Sequence, residues 1–405
     1  MGSAAWELEK GQRMGMRFRF LPGLLIPVWL LGLSGCSTSN SSSSSSGTGA
    51  LYVSTRGDSL VSAYTIDLST GLLTSVGSGV ATGSAPSVML LVGNSLFIAN
   101  TASNNLSTYT VNPNLSLTAG SSALPTGMTP LAMATDSAGH FLFVANQGLQ
   151  IDPASGTISV FSIQSGSLTE VAGSPFRVAA ALAPSGPGPS AVAVTPDGKF
   201  LYVANQFDGT VTSFSVDTTS GALTSGQTVL VGTAPSGMAI TPDGGFLYVS
   251  NSGSSNVSGF AICNQVVTSC SVPTSPDGTL SPAIGSPFSA GLGPSAIIVA
   301  PSGKFMFVVD RQSNQVSEYK LATGTGELTP NTQATISTGS TPTGVTIRPG
   351  TTVISTTQGT TDYLYVTNFG ASTMTAYSFD STTGVLGLVG SPLITGGQPS
   401  AVAAK

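Results

Sequence analysis

From Pro189 to Asp217 the chain reads PSAVAVTPDGKFLYVANQFDGTVTSFSVD, and apolar and polar positions alternate with period two in three short runs, SAVAVT, FLYVAN and TVTSFSV. Such alternation, with β-branched and aromatic enrichment, predicts strands. Pro196-Asp197-Gly198 links the first two, because proline presets φ for a turn, aspartate caps it and glycine accepts positive φ. Gln206 to Gly209 links the second and third, and a weaker fourth run spans Leu223 to Val231 after the Thr219-Ser220-Gly221 turn. Ala234-Pro235-Ser236 then begins the cycle again. The unit is four short antiparallel strands.

A unit of this kind cannot bury both faces alone and must stack on copies of itself, and a four-strand period of roughly 45 residues is that of a propeller blade. The LYV-like strand appears seven times, at Leu51, Leu96, Leu142, Leu201, Leu247, Met306 and Leu364. The Pro-small-apolar strand also appears seven times, opening at Pro86, Pro130, Pro189, Pro235, Pro294, Pro342 and Pro399. The expected fold is therefore all-β, a seven-bladed propeller of four-stranded antiparallel blades over residues 50–405. Its phase is uneven, since the folded part opens on the second strand of a unit (Leu51) and ends on the first strand of another (Pro399 to Lys405). Pairing the C-terminal strand with the N-terminal three closes the ring and hides edges that would otherwise template aggregation.

Composition agrees: 50 Gly, 25 Pro and only 7% charged residues make a turn-rich chain poor in helix formers. The first 35 residues do not belong to the repeat. Arg17 and Arg19 precede an apolar run, Leu21 to Leu33, that ends in Leu33-Ser34-Gly35-Cys36, the basic-apolar-small order of an export signal. The run is short for a membrane span, which takes roughly 20 apolar residues. Leu-Ser-Gly-Cys resembles the lipobox of bacterial lipoproteins, which implies cleavage before Cys36 and a lipid on it. The competing reading is an uncleaved anchor or an ordinary secretory signal. Residues 36–49, with six consecutive serines, form a flexible tether that suits a lipid anchor. The expected location is the bacterial cell envelope, with the bilayer as the partner of the acyl chain. Cleavage would remove four of the 12 bases and two of the 17 acids, leaving a net charge near −7. Nucleic acid is then not an expected partner, because phosphate contacts need clustered Lys and Arg.

Departures from the repeat carry the rest. Blade three has insertions at Gln147 to Gly156 and Phe176 to Gly188, both on one rim by ring topology, where they could serve as a ligand gate or be drifting surface loops. Blade five has an insertion from Ile262 to Pro276 holding Cys263 and Cys270, which in an exported chain read as a disulfide closing a local loop. No histidine or third cysteine lies nearby to complete a metal site.

Chemistry in a propeller belongs to the central channel and the loops at its mouth. The innermost strand should be the Pro-small-apolar one, whose residues, such as Ser190-Ala191-Val192, carry no charge in any blade. His140, the single histidine, aligns with Lys199 and Lys304 on a surface turn, so histidine relays and histidine metal sites lack a candidate. The second strands end in Asn100, Asn146, Asn205, Asn251, Asp310 and Asn368, with Thr55 in blade one. A carboxamide ring could bind a sugar or lactone carbonyl, but Asn and Asp at strand ends also make local side-chain-to-backbone turns. Arg56, Asp58, Arg177, Asp208, Asp310 and Arg311 fall in loops assigned to that rim, and Asp310, Arg311, Asp208 and Arg177 are the candidates for catalysis. No cofactor is expected.

Leu364-Tyr365-Val366-Thr367-Asn368 contains YVTN, and Val194 to Asn205 resembles the YVTN repeat. With Gly173-Ser174-Pro175-Phe176 and its spacing to Ser167-Leu168-Thr169, the repeats are similar to the seven-bladed lactonase-like propeller family. That resemblance covers residues 50–405 and implies either of two functions. One is a non-enzymatic envelope propeller binding a glycan, a lactone or an envelope protein at its rim. The other is a lactone hydrolase resembling 6-phosphogluconolactonase, for which no set of phosphate-binding bases and acid-base pair maps onto this sequence.

Overall fold

The LYV strands are the most buried parts of the molecule, because each is flanked within its sheet and covered on both faces by neighbouring blades. Leu201, Tyr202, Val203 and Ala204 are all fully buried, as are their counterparts Leu247, Tyr248 and Val249. The structure is a computed structural model that describes residues 48–120, 122–179, 185–263, 277–350, 353–355 and 358–405. The signal segment, Cys36, most of the serine-rich tether and Cys270 lie outside the described residues.

Seven antiparallel sheets are present, each running from an inner Pro strand outward. In blade four these are Pro189–Val194, Phe200–Asn205, Thr210–Val216 and Leu223–Leu230. The outer position is split into two short pieces in blades two, three and five, for example Ser167–Glu170 and Phe176–Arg177. Phe176 and Arg177 thus begin no insertion. They are the outer strand of blade three, paired with Ile158 and Thr157.

The ring closes as the phase of the repeats requires. Pro399–Ala404 pairs with Thr48–Thr55, in register Tyr52 with Ala403 and Ser54 with Ala401, and completes the sheet of Leu60–Asp67 and Leu73–Ala81. Seven apolar clusters fill the seven blade interfaces, and the one at closure joins Leu51, Val53 and Val402 to Tyr365 and Met374 of blade seven.

Two sets of hydrogen bonds lock neighbours together. On the inner strands, each register shifts by one residue just after the proline, a bulge that turns the following residue toward the next blade. The hydroxyls of Ser87, Ser190, Ser236, Ser295, Thr343 and Ser400 donate to the carbonyls of Pro130, Pro235, Pro294, Pro342, Pro399 and Pro86, at 2.7–3.3 Å. Leu131 occupies this position in blade three, so the link to Pro189 cannot form. Farther out, Tyr52, Tyr202, Tyr248 and Tyr365 of the LYV strands donate to carbonyls of the next blade at Leu115, Gly278, Gly326 and Gly71. Burial pushes the Tyr52 phenol up to about 12, so it stays a donor throughout the physiological range.

The residue before each proline is the tight point. Ala85, Thr129, Ala234, Thr341 and Gln398 hold φ between 52° and 58°, and Gly188 and Gly293 take the same position in the remaining blades. Side chains in this left-handed region are strained. The left-handed conformation recurs in every blade, strained in five and relieved by glycine in two, because it aims the bulge at the neighbour.

Candidate functional site at the propeller mouth

The axis is a small cavity of about 260 Å³ walled by the inner strands, from Ser87-Val88-Met89 round to Ser400-Ala401-Val402. Every side chain of this wall is uncharged. Its hydroxyls are held by the proline carbonyls of the next blade, so the wall presents small apolar groups and engaged hydroxyls.

The second-strand asparagines do not open onto the mouth. They are fully buried, and each amide reaches across its hairpin to side chains of the next strand, five and seven residues on from Asn100, Asn205, Asn251 and Asn368, and eleven and thirteen on, at Thr157 and Ser159, from Asn146. Asn205 Nδ2 donates to Thr210 Oγ1 and Thr212 Oγ1, both at 3.0 Å, and Asn251 Nδ2 donates to Asn256 Oδ1 at 2.8 Å and Ser258 Oγ at 3.0 Å. The structural role anticipated for these residues holds, with most of the bonds running to side chains and backbone bonds added at Asn100, which donates to the Asn105 carbonyl, and Asn368, which accepts the Gly339 N–H. A glycine three residues before the inner proline covers the carboxamide in four blades and the Asp310 carboxylate in blade six. A Cβ on Gly232 would come within 2.7 Å of Asn251 Cγ.

In blade six the slot holds Asp310, which is 0% exposed. The polarity of the pocket is reversed to suit an acceptor, with Ser317 Oγ donating to Asp310 Oδ2 at 2.6 Å and further bonds from Gln315 and the Gly291 N–H. Burial nonetheless pushes the carboxyl up to about 6, these bonds only partly opposing it. Glu318 on the next strand, 1% exposed and bonded to Asn331, is likewise pushed up to about 6 by burial.

The four catalytic candidates are thus placed apart. Asp310 is sealed beneath the rim, Asp208 is buried in blade four, Arg177 is exposed on the outermost strand of blade three, and Arg311 is exposed at the mouth. Among the described residues the ion pairs include His140 with Asp136 and Lys199 with Asp197, and none joins Asp310, Arg311 and Arg177 to one another. His140 is a surface residue with 68% of its side chain exposed. No three His, Cys, Asp or Glu side chains gather as a metal site among the described residues.

The rim carries a feature that the repeats do not announce. The residue directly after each second strand donates its N–H to the residue before the proline of the same blade, which fixes seven equivalent positions around the mouth: Arg56, Thr101, Gln147, Gln206, Ser252, Arg311 and Phe369. Thr101 and Ser252 fold back onto the carbonyls of Ala85 and Ala234. Four others meet in pairs. Gln147 Nε2 donates to Gln206 Oε1 at 2.5 Å, and the Arg311 guanidinium lies 5.8 Å over the Phe369 ring. Reading the one column after the Asn column would have found this crown in the sequence; only Arg56 and Arg311 stood out there, as charges.

An uncharged hub, a hydroxyl-stitched wall and a polar crown at the mouth define a seven-bladed β-propeller. The chain belongs to the lactonase family of seven-bladed β-propellers, which matches residues 42–127, 154–269 and 277–404. Among solved structures it is similar to the periplasmic gluconolactonase of Pseudomonas aeruginosa, at 20% identity and TM-score 0.72, over 88% of this chain and 99% of that one. A candidate 6-phosphogluconolactonase of Bacteroides uniformis is similar at 20% identity and TM-score 0.71, again over 88% and 99%. A protein of Lactobacillus plantarum follows at 19% identity and TM-score 0.69, over 89% and 100%. No curated protein matches the chain.

The buried acid yields a test of stability. A carboxyl whose folded pKa is raised contributes stability that is present below its unfolded value, near 4, and is lost as pH rises through about 6. Asp310→Asn removes that loss and restores the residue used in five other blades. Thermal unfolding should show wild type and variant nearly equal at pH 4 and the variant more stable at pH 7.5, by on the order of 1–3 kcal/mol. A variant no more stable than wild type at pH 7.5 contradicts this assignment.

Proposed function

We propose that this chain is a binding module of the bacterial cell envelope, a lactonase-family propeller that holds a polar ligand of glycan type across its mouth. The observation that carries the reading is the channel wall, which is uncharged throughout and has its hydroxyls engaged in joining the blades. General acid-base catalysis needs a titratable group within hydrogen-bond reach of the reacting atom. The crown, by contrast, offers exposed or half-exposed polar side chains of the kind that recognise hydroxyls and carbonyls.

Lactone-ring opening is the second reading, favoured by membership of the family. It asks Asp310, Arg311, Asp208 and Arg177 to polarise one carbonyl and activate one water, and these side chains are spread over blades three, four and six. The purified full chain is expected to open glucono-δ-lactone no faster than buffer does. Saturable turnover that disappears in Arg311→Ala would establish the hydrolase instead.

Export follows the sequence. Residues 1–35 are read as a lipoprotein signal, Cys36 as the acylated first residue, and residues 36–49 as the tether. Cys263, buried at the end of its strand, pairs with Cys270 to close the blade-five insertion in this proposal. Mass spectrometry of protein from a bacterial membrane fraction should find a diacylglyceryl N-terminal Cys36, and alkylation without reduction should leave Cys263 and Cys270 unlabelled. An unmodified N-terminus elsewhere, or alkylation of Cys263 in the denatured unreduced chain, would reject the corresponding half.

A further inference from the structure

The crown is not evenly composed. Arginine and lysine together supply 12 of 405 residues, about 3% of positions, yet arginine fills two of the seven crown positions. Both flank the single aromatic member: Arg311 in blade six, Phe369 in blade seven and Arg56 in blade one stand side by side around the ring. The joined carboxamides of Gln147 and Gln206, in blades three and four, stand on the opposite side. The remaining two members, Thr101 and Ser252, have their hydroxyls turned onto their own loops. The mouth is therefore two-sided, cationic and aromatic on one flank and neutral and amide-bearing on the other.

The acids nearby are not ion-paired with the two arginines. Asp310 lies buried beneath Arg311 with its Oδ2 bonded to Ser317, and the exposed Asp58 directs Oδ2 to the Gly397 N–H. Asp208 is buried on the amide flank, and no carboxylate lies within ion-pairing distance of Arg56 or Arg311 among the described residues. The Arg311 guanidinium carbon lies 5.8 Å from the Phe369 ring centroid, a cation–π contact that leaves its N–H donors free to meet a ligand. The cavity beneath, at about 260 Å³ and uncharged, offers neither room nor partners for a long polar ligand, so such a ligand lies across the mouth.

We propose that the crown recognises a uronate-bearing glycan, with Arg311 and Arg56 taking sugar carboxylates, Phe369 bearing on a ring face and the Gln147–Gln206 pair bonding hydroxyls on the far side. A planar guanidinium matches a carboxylate in bidentate fashion, and amides discriminate hydroxyl patterns at little electrostatic cost. This rests on reading the mouth as a glycan site and adds the charge of the glycan. It also explains how a chain with an overall negative charge could hold an anion, since the attraction comes from two local groups and not from the net field.

The experiment is calorimetric titration of the full chain in detergent with trigalacturonate and with its methyl ester, which has the same sugar rings without the charges. The acid is expected to bind at least tenfold more tightly than the ester, and more weakly as salt rises. Arg311→Gln and Arg56→Gln should each weaken binding of the acid by about tenfold, while Lys199→Gln, on the other rim, leaves it unchanged; thermal unfolding confirms that each variant is folded. Equal binding of acid and ester, both lost in Phe369→Ala, would overturn the carboxylate assignment and leave the mouth a glycan site. Binding of the acid that is insensitive to both arginine variants, or binding of neither trimer, overturns the inference.

Discussion

The molecule depends on one repeated contact, the hydroxyl after the inner proline donating to the proline carbonyl of the next blade. For that contact to form, the residue before the proline must enter the left-handed region and the strand must bulge by one residue, and both happen in every blade. Five of the blades thus accept local strain, and two use glycine, so that the hub can be stitched tightly around small side chains. The one gap is at Leu131 and Pro189, and it coincides with the junction where two insertions and the Gln206–Asp208 loop pack together. There, Gly186 donates to Gln150, Phe207 donates to Pro187, and the Gln147–Gln206 bond bridges the blades from above. The polar crown supplies at that junction a link that the inner strand does not.

This arrangement limits what the hub can do. Hydroxyls committed to holding blades together are not available to a substrate, and the wall carries no group that titrates. The two carboxyls that burial pushes up to about 6, Asp310 and Glu318, sit inside blade six, where they affect stability and not reactivity. Functional variety in such a ring is left to the positions on the rim, where different side chains fit because each is fixed by the same backbone bond. Arg56, Gln147, Gln206, Arg311 and Phe369 differ from one another while sharing one backbone bond.

The fold was legible in the sequence because the physics that makes a blade is local and repeated. Period-two alternation, Pro-Asp-Gly turns and the unpaired phase at Leu51 and Pro399 required seven blades and a shared closing sheet, and the register of Tyr52 with Ala403 meets that requirement. The site was less legible. Asp310 looked like an exposed rim charge because its column ends a strand, yet tertiary covering by Gly291 buries it. Arg177 looked like part of a loop because the Gly173-Ser174-Pro175 interruption hides the outer strand, Ser174 Oγ accepting there the N–H of Val160 on the neighbouring third strand. The crown went unread because its members share no chemistry, only a position.

If the stitched ring is what holds the molecule together, its last-added strand must be as firmly held as any other. Native-state hydrogen exchange at the amides of Ala401 and Val402, compared with Ala191 and Val192 of an uninterrupted blade, measures this directly. The account predicts that both pairs exchange only by opening of the whole propeller, with the same free energy. Release of Ala401 and Val402 through a separate, lower-energy opening would contradict it.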